Sequence, residues 1–260
     1  MVKEQPESRI LAKPRAFSLK QEYLNYIIQK ELLGMDATTD SIFKKKRGIS
    51  TIEDALSETF SKFIGKTDKE IKNTIGWNGG GKAKNYKRLL VNKILGVQNK
   101  VEEFEKANIT LRVITLESSG KLTESISFPS FNYNEIVNQS WYDEQNETMA
   151  DFHLTLETQK FLFVVFQKVK NSEDIYLKKF QFWNFPMEHL SEAQKVWEKT
   201  VNCIKKGDYS NLPKITESVV AHVRPHGKNS QDKVLTPQGT MEMKRCFWLN
   251  AKFIEGFINE

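Results

Sequence analysis

At 260 residues, with 28% of them charged and a formal net charge of +6, the chain is long enough for one substantial core or two closely packed lobes. No stretch approaches the ~20 apolar residues of a membrane helix, so no membrane partner is expected. Cys203 and Cys246 are too few and too far apart for a disulfide framework or a zinc knuckle, which points to a reducing, cytoplasmic setting.

The opening "MVKEQPESRILAKPR" has charges and prolines but no apolar core. It reads as a flexible lead-in over residues 1–14, ahead of a single domain over 15–260. Four helical segments follow. "SLKQEYLNYIIQKELLG" has Ser18 and Gln21 at capping-box spacing and stops at Gly34; "STIEDALSETFSKFIG" repeats the device with Ser50 and Glu53, and "TDKEIKNTI" with Thr67 and Glu70. The glycine loop "GWNGGGKAKN" feeds "YKRLLVNKILG", which ends at Gly96, and "DATTDSIFKKKRG" is a charged connector between the first two helices. The middle of the chain is rich in strands. "ITLRVITL" alternates, "SSG" turns and "KLTESISFPSF" returns; after the polar "NQSWYDEQNETMAD" come "FLFVVFQKV" and "IYLKKFQFWNF", read as neighbours in one mixed sheet. A long helix runs from about Met187 to Lys206, "SVVAHVRP" is a strand, and "MEMKRCFWLNAKFIEGFI" is expected to be a closing helix. Helices bracketing a mixed sheet make the fold class α/β, of the mixed α+β kind.

Charge is unevenly distributed. Residues 82 to 112 hold eight Lys/Arg against three Glu, a local +5, and residues 222 to 252 hold six against two acidic residues, a local +4. Two separated basic stretches suit the walls of a groove for a polyanion, or they are two solvated faces. "FIGKT" lacks the first glycine of a phosphate loop, since Phe60 stands there. His222 and His226 have helical metal spacing, but Pro225 between them argues for a strand entering a loop. His153 and His189 have no recognisable nucleophile partner. The loop "RPHGKNSQDKVLTPQG" is different, because an arginine at a strand end can offer a bidentate contact to a guanine edge.

The stretch "VEEFEKANITLRVITL", residues 101 to 116, has the outline of a metal-dependent nuclease strand. Such a strand presents Asp, then Glu-x-Lys, because two carboxylates hold Mg²⁺ while the lysine positions water. Here Glu103 takes the acidic position, but Thr110 stands for the Glu and Arg112 for the Lys. A hydroxyl is a poor substitute for a carboxylate at a divalent metal, and arginine does not act as a base near neutral pH.

Several segments together resemble the MutH mismatch-repair endonuclease family. They resemble more closely the second, MutH-like half of the Sau-type type II restriction endonucleases that recognise GATC. The segments are "LSETFSKFIGKTDKEI", "KNYKRLLVNKILGV", "EEFEKANITLRVITLESSGKLTESISF", "WEKTVNCIKKGDYSNLPKITESVVAHVRPHG" and "TPQGTMEMKRCFWLNAKFIEGF", spanning about residues 51 to 258. The resemblance implies a restriction-endonuclease-like fold with a central mixed sheet flanked by helices and two lobes around a DNA cleft. Its nuclease core would lie at about 82–185 and its recognition part at about 186–260. Carried over residue by residue, the family's helix carboxylate falls on Asn92, its Asp on Glu103, its Glu on Thr110 and its Lys on Arg112, so all four catalytic positions depart from the pattern. The DNA-reading loop falls on Arg224, Pro225 and His226, with Lys228 adding charge; an adenine-contacting tyrosine falls on Met241, and a DNA-entering lysine on Lys84. Lys244 and Arg245 match a pair of lysines that opens the last helix.

The resemblance therefore implies a bacterial, cytoplasmic, catalytically silent C-terminal domain. It would bind double-stranded DNA at GATC and act as an effector of an upstream catalytic domain in the same polypeptide, with self-association possible. No cofactor or metal is expected for this domain, and Mg²⁺ for the parent nuclease. Two alternatives remain at this level: an active Mg²⁺-dependent GATC nuclease using relocated carboxylates at Glu102, Glu103 and Glu117, or a structural dimerisation module with incidental basic loops.

Overall fold

The structure, a computed structural model, describes residues 19, 21–32, 39–43, 48–79, 83–98, 100–146 and 148–259. Helix α1 (Gln21–Ile27) continues as a π-helical turn (Ile28–Leu32) and is followed by β1 (Thr39–Asp40), α2 (Ile52–Phe60), α3 (Asp68–Ile75), α4 (Tyr86–Leu95), β2 (Lys100–Val101) and α5 (Glu102–Ala107). Next come β3 (Ile109–Leu116), β4 (Ile126–Ser127), α6 (Tyr133–Ile136), β5 (Tyr142–Asp143), β6 (Thr148–Met149), α7 (Asp151–Thr158), β7 (Lys160–Lys168) and β8 (Ile175–Asn184). A 3₁₀ turn (Met187–His189) leads into α8 (Leu190–Lys206), then β9 (Ala221–Pro225), β10 (Lys233–Leu235), β11 (Met241–Met243), β12 (Arg245–Leu249) and α9 (Ala251–Asn259).

The apolar run in β7 organises these elements. A strand alternates its side chains between two faces, so six consecutive buried apolar residues require a core on each side. Phe161, Phe163 and Val165 enter one core with α7, α8, α9 and the sheet β4–β12–β9. Leu162, Val164 and Phe166 enter a second core with α2, α3, α4 and α5. β3 pairs with β7 in parallel and β8 pairs with it antiparallel, giving the expected mixed sheet with β3 at one edge. The class is mixed α/β, as the sequence indicates.

Local sequence explains most boundaries. Thr67 and Glu70 form a complete capping box at α3, and Gly96 and Gly207 adopt left-handed φ angles of 70° where α4 and α8 stop. The cap of α2 is Thr51, whose hydroxyl accepts from the Asp54 amide, one residue later than the expected Ser50–Glu53 pair. The expected cap Ser18, the stop at Gly34 and the lead-in over 1–14 lie outside the described residues. The charged connector contributes β1, which pairs in parallel with β2. The expected hairpin after β3 does not extend: Leu116 and Leu122 make a single bridge, after which β4 pairs with β12 in the other sheet.

The largest departure concerns the closing helix expected from Met241. Residues 241–249 form β11 and β12, and the helix starts only at Ala251. The spacing in "MEMKRCFWL" fits either period, but β9 offers five paired positions that bury Cys246, Phe247 and Leu249 in register. Lys244 and Arg245 consequently do not open a helix. Helix α7 was not anticipated from the sequence. Among the described residues, no helix is long and apolar enough to cross a membrane.

Two-sided burial of β7 has a measurable consequence. Leu162→Ala and Phe163→Ala, adjacent but pointing into different cores, should each destabilise the protein, by about 2–5 and 3–5 kcal/mol respectively. Urea denaturation checks this, and a near-neutral result at either position would show one face of β7 to be solvated.

Candidate nucleic-acid interface

Arg224 is the penultimate residue of β9, directly opposite Cys246 of β12. Its guanidinium carbon lies 3.8 Å from the centroid of Trp248. His222, Arg224 and His226 share a strand face by two-residue spacing, and all three rings or planes meet that indole: His222 stacks at 6.5 Å and His226 approaches edge-on at 5.2 Å. Stacking fixes the guanidinium plane while leaving its N–H edge open for a bidentate acceptor. Among the described residues, no carboxylate pairs with Arg224, and its side chain is exposed.

Beneath it, His222 is buried, 3% exposed. The Asn250 amide nitrogen donates to Ser218 O at 2.6 Å, which leaves Oδ1 as acceptor and gives His222 Nδ1 the proton at 2.6 Å. Burial, reinforced by the Arg224 charge, pulls the His222 pKa below its ordinary value. The spacing that resembled a metal pair therefore belongs to a strand, as Pro225 suggested.

The loop after β9 is organised by Asp232. Its carboxylate accepts from the Lys228 amide at 2.9 Å and from Lys244 Nζ at 2.7 Å, and the Lys244 hydrogen bond holds it below the usual carboxylate range. Gly227 permits this closeness, since a Cβ there would lie 3.1 Å from Asp232 Cβ and 3.2 Å from two carbonyl oxygens. Lys228 stays exposed, whereas Lys244 is tethered. Arg245 is committed further inward: with its side chain 15% exposed it pairs with Glu242 at 3.2 Å and donates to Tyr133 Oη at 3.0 Å. That hydroxyl donates in turn to Met243 O at 2.7 Å, so Arg245 braces the recognition region from below and is not on its outer surface. Met241 on β11 is 54% exposed beside its cross-strand partner Leu235. Lys84 is exposed in the turn before α4, while Gly80, Gly81 and Lys82 lie outside the described residues.

The positions that the resemblance assigns to a nuclease site converge only in part. A pocket of about 320 Å³ at the open edge of β3 is lined by Asn92, Thr110 and Arg112, together with Arg88, Lys100 and Glu105. Glu103, expected there, is elsewhere: its carboxylate accepts from Ser41 Oγ and, at 3.2 Å, from the Ile42 amide. Thr110 Oγ1 is engaged by the Gln159 amide nitrogen. Glu105, the pocket's carboxylate, pairs with Lys100 at 3.0 Å. The three carboxylates of the relocated-ligand alternative point to separate partners. Glu102 accepts from Lys106 and Tyr26 and has its pKa held down to about 2 by them, Glu103 holds Ser41, and Glu117 pairs with Lys168 at 2.8 Å. Among the described residues, no three His, Cys, Asp or Glu side chains gather as a metal site. The donor set at the pocket, two guanidiniums and one neutralised carboxylate, does not fit Mg²⁺.

No protein-family model matches the chain. Among curated proteins, the type II restriction enzyme Sau3AI of Staphylococcus aureus is 29% identical over 287 aligned positions, covering 100% of this chain and 58% of that enzyme. Over its whole length the chain is similar to part of this restriction enzyme. The resemblance read from sequence is thus borne out, and the chain spans little more than half the length of its relative.

Sequence reasoning passed over three residues that shape the region. Trp248 is the platform for Arg224, Arg88 reaches the pocket from α4, and Asp232 shapes the loop. Arg88 and Asn92 stand four apart on one helix, which would have placed them on a common face.

The buried neutral His222 couples stability to pH. An unfolded histidine titrates near 6.5, whereas the folded one resists protonation, so the unfolded chain binds more protons as pH falls. Its stabilising contribution is complete above that pH and is lost progressively below it, towards the lower folded pKa. Acidification from about pH 7.5 to about 5.5 should lower the melting temperature of the wild type more than that of His222→Gln, and equal losses would show that His222 is not the linked group.

Proposed function

We propose that this chain is a DNA-binding module of a type II restriction enzyme, engaging double-stranded DNA at GATC through the Arg224 loop, with its own nuclease site silent. The observation that carries this reading is the Arg224 guanidinium, seated over the Trp248 ring at 3.8 Å with no carboxylate partner among the described residues. Such an arginine is preorganised for the two acceptors of a guanine edge in the major groove. Exposed Lys228 and Lys84 add phosphate contacts, which set affinity and orientation without reading sequence. The assignment of GATC follows the resemblance of the Arg224, Pro225 and His226 loop.

The silent site follows from its donors. With Asn92, Thr110 and Arg112 at the catalytic positions, no pair of carboxylates remains to hold Mg²⁺. Cutting then belongs to another domain of the same polypeptide, and site binding here favours its active arrangement, a coupling that requires the two states of the whole enzyme to bind DNA differently. Sau3AI extends beyond the region shared with this chain, which is where a cutting domain would be encoded.

Fluorescence anisotropy with a GATC duplex and a scrambled one tests the reading. The wild type should prefer GATC, with a steep salt dependence, and Arg224→Ala should remove about 1–3 kcal/mol of that preference. Equal affinity for both duplexes defeats the specificity. Plasmid cleavage by the purified chain in Mg²⁺ or Mn²⁺, abolished by Glu103→Ala, would defeat the silent site.

A further inference from the structure

The pocket at the open edge of β3 holds an electrostatic imbalance that the recognition loop does not use. Arg88 Nη1 donates to Leu111 O at 2.7 Å and Arg112 Nη2 donates to Ser127 O at 3.0 Å, each a single bond to backbone. Neither guanidinium has an ion-pair partner among the described residues, and Arg112 Nε is buried with no acceptor among them. Lys100 already neutralises Glu105, so the two arginine charges at the pocket are uncompensated.

Each side chain pays for this position in desolvation: burial pulls both pKa values below the ordinary range, and the Arg88 charge depresses that of Arg112 further. Arg88 nevertheless keeps an exposed flank, so the pocket is open to a ligand. Two like charges drawn together in a concavity are unfavourable until an anion joins them, and a phosphodiester oxygen offers acceptors to both forks at once.

The pocket is linked to the strand that carries Trp248 through the hydrogen bond of Arg112 to β4. Arg112 bonds β4, which pairs with β12, and the buried Cys246 thiol of β12, pushed up to about 12 by burial, feels the charges of both Arg112 and Arg224. Arg112 is thus tied by hydrogen bonding to the sheet whose far strand carries Arg224.

We infer that the former metal site has become a phosphodiester-binding site, in which Arg88 and Arg112 grip one backbone phosphate of the bound duplex directly, without a metal ion. The inference rests on the DNA-binding reading above, and adds to it a second contact, at a defined phosphate.

Binding in EDTA, measured with GATC duplexes carrying one neutral methylphosphonate at each backbone position in turn, tests it. In the wild type one position should stand out, its methylphosphonate weakening binding roughly ten- to hundredfold. Arg88→Gln, which retains a donor for Leu111 O on an exposed helix flank, should weaken the all-phosphate duplex comparably and make binding indifferent to that position. Arg112→Gln should do the same. Should both variants keep the wild-type profile, or should binding require Mg²⁺, the inference fails while GATC recognition stands. If the wild type shows the phosphate-specific loss but no preference for GATC, sequence recognition fails and this site stands. A wild type that binds no DNA overturns both.

Discussion

Six consecutive buried side chains in β7, pointing alternately to two sides, are the constraint on which the rest of the molecule depends. A strand apolar on both faces cannot lie on the surface, so one set of helices must cover each side. The N-terminal helices α2 to α5 form one cover, and α7, α8, α9 with the second sheet form the other. Because β3 is the terminal strand of the sheet β3–β7–β8, its far edge is left open. The arginine-lined pocket lies along that edge, where Arg88 occupies one free carbonyl, that of Leu111.

The second sheet places the Arg224 loop, the proposed DNA-reading element, on the strand next to β12. β12 sits between β4 and β9, so it carries Trp248 under Arg224 on one side and receives Ser127, the acceptor of Arg112, on the other. Loop geometry is then fixed by short-range charge: Asp232 holds Lys244 and the Lys228 amide, while Glu242 and Tyr133 hold Arg245. Cations in this region thus divide into those that brace the protein and those that stay open, Arg224 and Lys228 among the latter.

Much of this was legible in the sequence, for physical reasons. β7 and β8 announce themselves by continuous or alternating apolar runs, and α3, α4 and α8 by caps and glycine stops. The substituted positions Asn92, Thr110 and Arg112 were visible and do meet at one pocket. Glu103 was misplaced because position along the chain does not say which way a carboxylate turns on a one-and-a-half-turn helix, and Ser41 with the Ile42 amide captures it. The closing helix was misread because short apolar runs fit both periods, and only pairing with distant β9 selects the strand. Trp248 was invisible as a platform for the same reason: its partners Arg224 and His226 lie more than twenty positions away in sequence.

Glu103 and Thr110 also bear on what a metal site at this pocket would require. Each has been taken into the protein's own bonding, Glu103 by Ser41 and Thr110 by Gln159. A carboxylate placed at position 92 or 110 would meet Arg88 and Arg112 before it met a metal ion, forming ion pairs that quench its charge. No single replacement recreates a divalent-metal site here; several would have to arrive together. The pocket in that sense resists divalent metal on its own terms, because any new carboxylate is first claimed by the cations already lining it.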